Sequence, residues 1–250
     1  LDLQLENRTA LVTGASMGIG RGIALALAAE GARIAVVARR KTLLDELASD
    51  IAAARRPPPA LIVQDVMAAD AAARIRDAAI AALGTVEILV NCAGGSRPLP
   101  IDAGDERWEE AMTLNFTRLR QLTQALLPGM IERRWGRIIN ITGKSEPDRI
   151  NAAFAAKAAV HSWAKGLSRE IGRHGITVNS IAPGRIISEQ ILRNYPEEER
   201  RRFSAEEIPV GEYGQPADLA CLAVFLASPV ARYITGTVIP VDGGLRRYQF

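Results

Sequence analysis

At 250 residues the chain lies at the upper end of what one domain holds and is long enough to bury a large core. It is 48% hydrophobic and 24% charged, ordinary proportions for a soluble globular protein, and its net charge of +3 is dispersed rather than clustered, so no nucleic-acid partner is expected. No run approaches the roughly 18 uncharged apolar residues that cross a bilayer, so no membrane association is expected. Residues 1–6 are acidic and lack the basic start and apolar run of a signal peptide. Cys92 and Cys221 stand far apart and fit no metal spacing. A cytoplasmic protein without a metal, its two thiols buried as small hydrophobes, is the expectation.

Short β-branched runs occur at 9–13, 34–37, 61–63, 88–91, 138–141, 177–181 and 238–241. Each is apolar on both faces, as a strand buried between two helical layers should be. Between them lie longer Ala- and Leu-rich stretches of helical period, such as the one carrying Ile23, Ala24 and Leu27, which Gly31 ends as a C-cap. Pro57, Pro58 and Pro59 form a rigid loop into the third strand. The alternation predicts an α/β fold, a Rossmann-like, doubly wound, mostly parallel seven-stranded sheet with helices on both faces, in a single domain over 1–250. The segment at about 185–212 breaks the rhythm: it is polar, rich in Glu and Arg, and helical, and reads as a lid over the site or as a plain pair of surface helices.

The first strand is followed by Gly14, Gly18 and Gly20, then by a helix from Arg21. Glycines there let the backbone turn tightly and approach a pyrophosphate, and the free N–H groups at the helix start, with the positive end of its dipole, favour phosphate charge. A glycine triplet between the first strand and the first helix is a strong dinucleotide signal.

The spacing Thr13-Gly14-x-x-x-Gly18-x-Gly20 resembles the short-chain dehydrogenase/reductase family in its single-domain form, similar to 3-oxoacyl-carrier-protein reductases. So do Asp65-Val66 after the third strand, Asn91-Cys92-Ala93-Gly94 after the fourth, Asn115, Lys157, Pro183-Gly184 after the sixth, and Val241-Asp242-Gly243-Gly244 near the end. The resemblance runs through nearly the whole chain. It implies that Gly14, Ser16, Gly18, Ile19 and Gly20 surround the pyrophosphate and adenosine ribose. Asp65 and Val66 would flank the adenine, and Asn91, Ala93 and Gly94 would line the cofactor where the fourth strand ends. Pro183, Gly184, Ile186 and Ser188 would sit at the nicotinamide carboxamide.

An acid at the end of the second strand would bind the adenosine 2′-OH and repel a 2′-phosphate. Ala38 holds that place here, followed by Arg39 and Arg40. A guanidinium can pair bidentately with a phosphate, so NADP(H) is the preferred cofactor, with NAD(H) possible.

The family's usual chemistry needs a Tyr-x-x-x-Lys helix, an upstream serine and an asparagine. Asn115 and Lys157 match by context, but Ala153 stands four residues before Lys157 and Gly143 holds the serine place. The loop between Gly143 and Ala153 is shorter than the family's. It carries Lys144, Ser145, Glu146, Asp148 and Asn151, and Thr142 stands just before it. Ser145 or Thr142 could donate to a substrate oxygen, Lys144 or Lys157 could give a proton, and Glu146 could act as a base. Asn115, Lys157 and Ser145 are the candidate catalytic residues. His161 lies roughly 12 Å along the helix from Ala153 at 1.5 Å per residue, too far to replace it, so a structural role is expected. Trp108 and Trp163 read as core or subunit contacts.

Three functions remain open at this point: an NAD(P)-dependent oxidoreductase of a carbonyl or alcohol with a rearranged acid, a cofactor-binding structural or regulatory protein without turnover, and a non-redox enzyme, such as a lyase or hydratase, reusing the cleft. A small-molecule substrate is expected, and a homotetramer, because the helical stretches at 107–130 and 152–172 are apolar around much of their circumference.

Overall fold

The structure, a computed structural model, describes residues 1–143 and 149–247. Its elements in chain order are β1 (Thr9–Thr13), α1 (Gly18–Ala29), β2 (Arg33–Ala38), α2 (Lys41–Ala53), β3 (Ala60–Val63), α3 (Ala71–Leu83), β4 (Ile88–Asn91) and α4 (Asp105–Met112). A π-helical turn (Thr113–Thr117) leads into α5 (Arg118–Arg133), followed by β5 (Gly136–Ile141), α6 (Ala152–Ile171), β6 (Ile176–Pro183), α7 (Glu189–Asn194), α8 (Glu197–Glu207), α9 (Pro216–Ala227) and β7 (Val238–Val241). Each run expected as a strand falls within one of these strands. α1 begins at Gly18, three residues before the expected Arg21, so the glycine loop feeds directly into the helix.

The strands form one sheet in the order β3-β2-β1-β4-β5-β6-β7. Every pairing is parallel. The order reverses between β1 and β4, and the crevice at that switch point is where such sheets bind ligands.

Alternate residues of each strand feed two cores. Ala10, Val12, Ile34, Val36, Ile88, Val90, Ile139 and Ile181 pack with α1, α2 and α9. Leu11, Ala35, Val37, Leu89, Ile138 and Val178 pack with α3, α5 and α6. This is the two-sided burial that the apolar runs encode. Gly22 lets α1 and α9 approach closely: a Cβ there would stand 2.7 Å from Pro216 Cβ.

Trp163 packs edge-on to Phe116 at 6.2 Å, and Trp108 lies against Leu99, Ala111 and Ala152, both within this chain. Cys92 is half-buried and Cys221 is exposed on α9, so the thiols are not both buried as expected. Cys221 lies on the outer side of α9, whose other face meets α1. No described helix is long and apolar enough to cross a membrane.

Candidate active site

The C-terminal ends of β1 and β4 are tied together by one hydroxyl. Thr13 Oγ1 accepts from the backbone N–H of Cys92 at 3.0 Å and Ala93 at 3.1 Å, and donates to Val90 O at 3.3 Å. The tie holds Ala93 against Gly14, where a Cβ on the glycine would stand 2.9 Å from Ala93 Cα. Gly14 and Gly18 have φ of +68° and +52°, a left-handed backbone that glycine adopts at no steric cost. A Cβ on Gly20 would overlap the Gly14 carbonyl. Ser16 and Ile19, both partly buried, complete this loop. Thr13 was missed as a site residue; its signal was its place immediately before the first glycine.

Beside this loop lies a shallow open cleft lined by Val66, Ala71, Asn91, Ala93, Leu114 and Arg118, among others. Val66, Asn91 and Ala93 therefore line one cleft. The Asn91 amide itself is spent inward, donating to Thr123 Oγ1 at 3.0 Å and Asn140 Oδ1 at 2.9 Å. Arg118 closes one wall by donating to Met67 O at 2.8 Å. Asp65 accepts from Met67 N–H at 3.0 Å, and its other oxygen lies 4.0 Å from Arg39 Nη1. Arg39 is otherwise open, its side chain 76% exposed, whereas Arg40 pairs with Glu189 at 3.2 Å.

At the other end of the crevice, Asn115 sits fully buried in the π-helical turn. Its Oδ1 accepts from Gly95 N–H at 3.0 Å, and its Nδ2 donates to Ala111 O at 3.0 Å and Gly95 O at 3.3 Å. The side chain thus fixes the Gly94–Gly95 turn. Lys157, on α6, is buried and donates to Ile141 O at 2.8 Å. Burial holds its pKa down at about 8, against a smaller opposing effect of Cys92. Asn115 and Lys157 converge on Gly94: a Cβ there would stand 2.9 Å from Asn115 Oδ1 and 3.2 Å from Lys157 Nζ.

Ala153 is buried, and its N–H is capped by Asn151 Oδ1 at 3.0 Å. Phe154, not Ala153, approaches Gly143; a Cβ there would make an ordinary 3.7 Å contact with the ring. Thr142 does not offer its proton to a substrate oxygen as the sequence allowed, because it donates to Ile181 O at 3.1 Å. His161 Nε2 lies 2.8 Å from Thr142 Oγ1, consistent with a structural role. Burial, then Lys157 and Arg246, keep that imidazole's pKa below its ordinary value. Asn151 is equally committed, since it also accepts from Arg97 N–H at 3.1 Å and donates to Ser96 Oγ at 2.8 Å. Lys144, Ser145, Glu146 and Asp148 lie outside the described residues.

At the end of β6, Pro183 pairs with Val241 of β7, and a Cβ on Gly184 would stand 2.6 Å from Asp242 Cα just past β7. Ile186 turns its side chain into the α1–α9 core, leaving its backbone for any ligand. Ser188 caps α7 by accepting from Ile191 N–H at 3.3 Å. Its Cβ lies over the glycine loop, 3.2 Å from where a Cβ on Gly18 would be.

The family model described as Enoyl-(Acyl carrier protein) reductase matches residues 14–246. The chain is 37% identical over 248 residues to the 3-oxoacyl-[acyl-carrier-protein] reductase FabG of Pseudomonas aeruginosa, covering 97% of this chain and 99% of that one. It is 36% identical to the galactitol 2-dehydrogenase (L-tagatose-forming) of Cereibacter sphaeroides, covering 96% of each. Among solved structures, a 7α-hydroxysteroid dehydrogenase complexed with NADH and 7-oxo glycochenodeoxycholic acid superposes with a TM-score of 0.92 at 31% identity, over 97% of this chain and 96% of that one. The L-sorbose reductase of Gluconobacter frateurii, complexed with NADPH and L-sorbose, gives 0.93 at 28% identity, over 99% and 100%. With this sheet order, this glycine loop and these matches over nearly its whole length, the chain belongs to the short-chain dehydrogenase/reductase family of oxidoreductases.

Proposed function

We propose that this protein is an NADP(H)-dependent oxidoreductase of a small carbonyl or alcohol substrate whose proton is handled by Lys157. The observation that carries the reading is the convergence of Lys157 and Asn115 on Gly94, with the lysine's pKa at about 8 and Ala153 in the tyrosine's place. The side-chain-free cradle at Gly14, Gly20 and Gly94, opening onto the cleft beside it, suits a dinucleotide's close backbone approach. Arg39 would pair with a 2′-phosphate, Asp65 and Val66 would flank the adenine, Ala93 and Gly94 would line the cofactor where β4 ends, and the backbone at Gly184 and Ile186 would meet the carboxamide. Bound there, the nicotinamide supplies the hydride. Asn115 would keep the Gly94–Gly95 turn in place, and Lys157 would deliver the proton to the substrate oxygen. Helices α7 and α8 act as the lid. Ser145, outside the described residues, is the candidate donor to the substrate oxygen. The reading includes a cytoplasmic location.

Coenzyme binding without turnover is the second reading, favoured by the apolar Ala153–Phe154 wall and by the committed hydrogen bonds of Thr142 and Asn151. NADPH oxidation against a panel of ketones, β-ketoacyl thioesters and quinones separates the two; no turnover on any member selects the second.

A charge-assisted bond to a 2′-phosphate is worth roughly 1.5–3 kcal/mol, or about 10- to 100-fold in affinity. NADPH should therefore bind that much more tightly than NADH, and Arg39→Ala should remove most of the difference while leaving NADH binding nearly unchanged. Fluorescence titration showing equal affinities in the unmodified protein overturns the assignment. We also propose a homotetramer built on α5 and α6; light scattering at micromolar concentration should give four times the chain mass, and a monomer would refute it.

A further inference from the structure

Arg185 is the first residue to leave the sheet after Pro183 and Gly184. It lies two residues past the end of β6, the strand hydrogen-bonded to β5, which ends at Ile141 just before Thr142 and Gly143. Its guanidinium carbon lies 5.1 Å from the centroid of the Tyr195 ring and 4.8 Å from that of Phe203. Nη1 donates to Tyr195 Oη at 3.3 Å. Tyr213 braces Phe203 edge-on at 6.1 Å, and Arg200 holds the Tyr195 carbonyl at 2.6 Å. The Arg185 backbone is fixed as well, its carbonyl accepting from Gly214 N–H at 3.0 Å.

Two aromatic rings in contact with a guanidinium satisfy its faces, not its N–H edge. One bond to a phenol uses one donor of five. Among the described residues no carboxylate pairs with Arg185, and none of its nitrogens is among the buried polar atoms that lack a partner. Its remaining donors therefore face open space. A held cation with donors to spare, on the segment that leaves the carboxyl end of β6, matches a planar anion of one charge. A single guanidinium suits a carboxylate better than a doubly charged phosphate, since Arg200 is already bonded to the Tyr195 carbonyl.

We infer that Arg185 binds an ionised carboxylate on the substrate, so that the protein acts on oxo or hydroxy acids. This rests on the proposed oxidoreductase reading and narrows its substrate class. The role is one of recognition: the carboxylate fixes how the carbonyl is presented, while hydride and proton come from elsewhere.

The test is calorimetric titration of the NADPH-loaded protein, at neutral pH and low salt, with three pairs of probes: benzoylformate and benzoylformamide, levulinate and levulinamide, acetoacetate and acetoacetamide. At least one acid should bind about 10- to 100-fold more tightly than its amide. Arg185→Gln should bring that pair to within about threefold with NADPH affinity unchanged. Arg185→Lys, which keeps the charge but loses the fork, should retain part of the preference, and it serves if the glutamine variant does not fold. Thermal unfolding of each variant is the control, because a purely structural clamp would shift melting and leave acid and amide indistinguishable in every form. No preference for any acid in the unmodified protein, or a preference that survives Arg185→Gln, overturns the inference. Acids that bind through Arg185 without hydride transfer would sink the oxidoreductase reading alone; transfer to neutral carbonyls with no acid preference would sink only this one.

Discussion

Lys157→Met should lower the rate of carbonyl reduction by about 10²–10⁴-fold, the range a positioned general acid supplies. The variant keeps the length of the side chain and removes the ammonium that donates to Ile141 O. The pH profile gives the sign. Burial has brought the Lys157 pKa from its ordinary 10.5 to about 8, so the ammonium form predominates below that pH. Reduction should be flat below about pH 8 and fall roughly tenfold per unit above it, while alcohol oxidation, which needs the free amine, should rise through the same interval. Rapid-mixing measurement of NADPH oxidation with the best substrate of the panel checks both. Turnover that survives the substitution, or a reductive limb that does not fall by pH 9, would remove Lys157 from the mechanism.

Gly20→Ala should cripple the coenzyme cradle. The added methyl overlaps the Gly14 carbonyl, which is backbone and cannot swing away as a side chain can. Overpacking of this kind costs about 1–3 kcal/mol, and the loop that shifts to relieve it is the one meant to hold the pyrophosphate. A drop in melting temperature and an NADPH affinity at least tenfold weaker are expected together. Gly166→Ala, on the exposed side of α6, is the contrast: nothing lies within 4 Å of the added Cβ, so the helix should gain about 0.5–1 kcal/mol. Equal NADPH binding by Gly20→Ala and the parent would show that the loop does not carry the phosphates.

The sheet was legible because its information is local. A run such as Ala10 to Val12, apolar on both faces, announces a central strand without reference to anything distant. The glycine loop was legible for the same reason, its three glycines lying within seven residues of one another. The hydrogen-bond ties were not legible. Thr142 read as a donor for substrate, yet its proton goes to Ile181 on the neighbouring strand, 39 residues away. Asn115 was found, but that its amide would be spent on the Gly95 backbone depends on how the π-helical turn rotates it. Ile186 was placed at the carboxamide, and only the packing of α1 against α9 shows its side chain turned inward. Arg185 drew no attention at all, because nothing near it in sequence marks the rings of Tyr195 and Phe203 as its neighbours.

The pair between Arg40 and Glu189 joins residues 149 positions apart, across the glycine loop on which Ser188 rests. Both side chains are about half exposed. An exposed pair of this kind is worth about 0–1 kcal/mol, which sets the fastened and unfastened forms within roughly a factor of five of each other. If α7 is part of a lid, as proposed, a dinucleotide would meet a door held by a weak catch: thermal motion opens it unaided, and raising the ionic strength loosens it further by screening. Under that reading, the traffic of coenzyme through that side of the crevice would not be throttled by the catch itself.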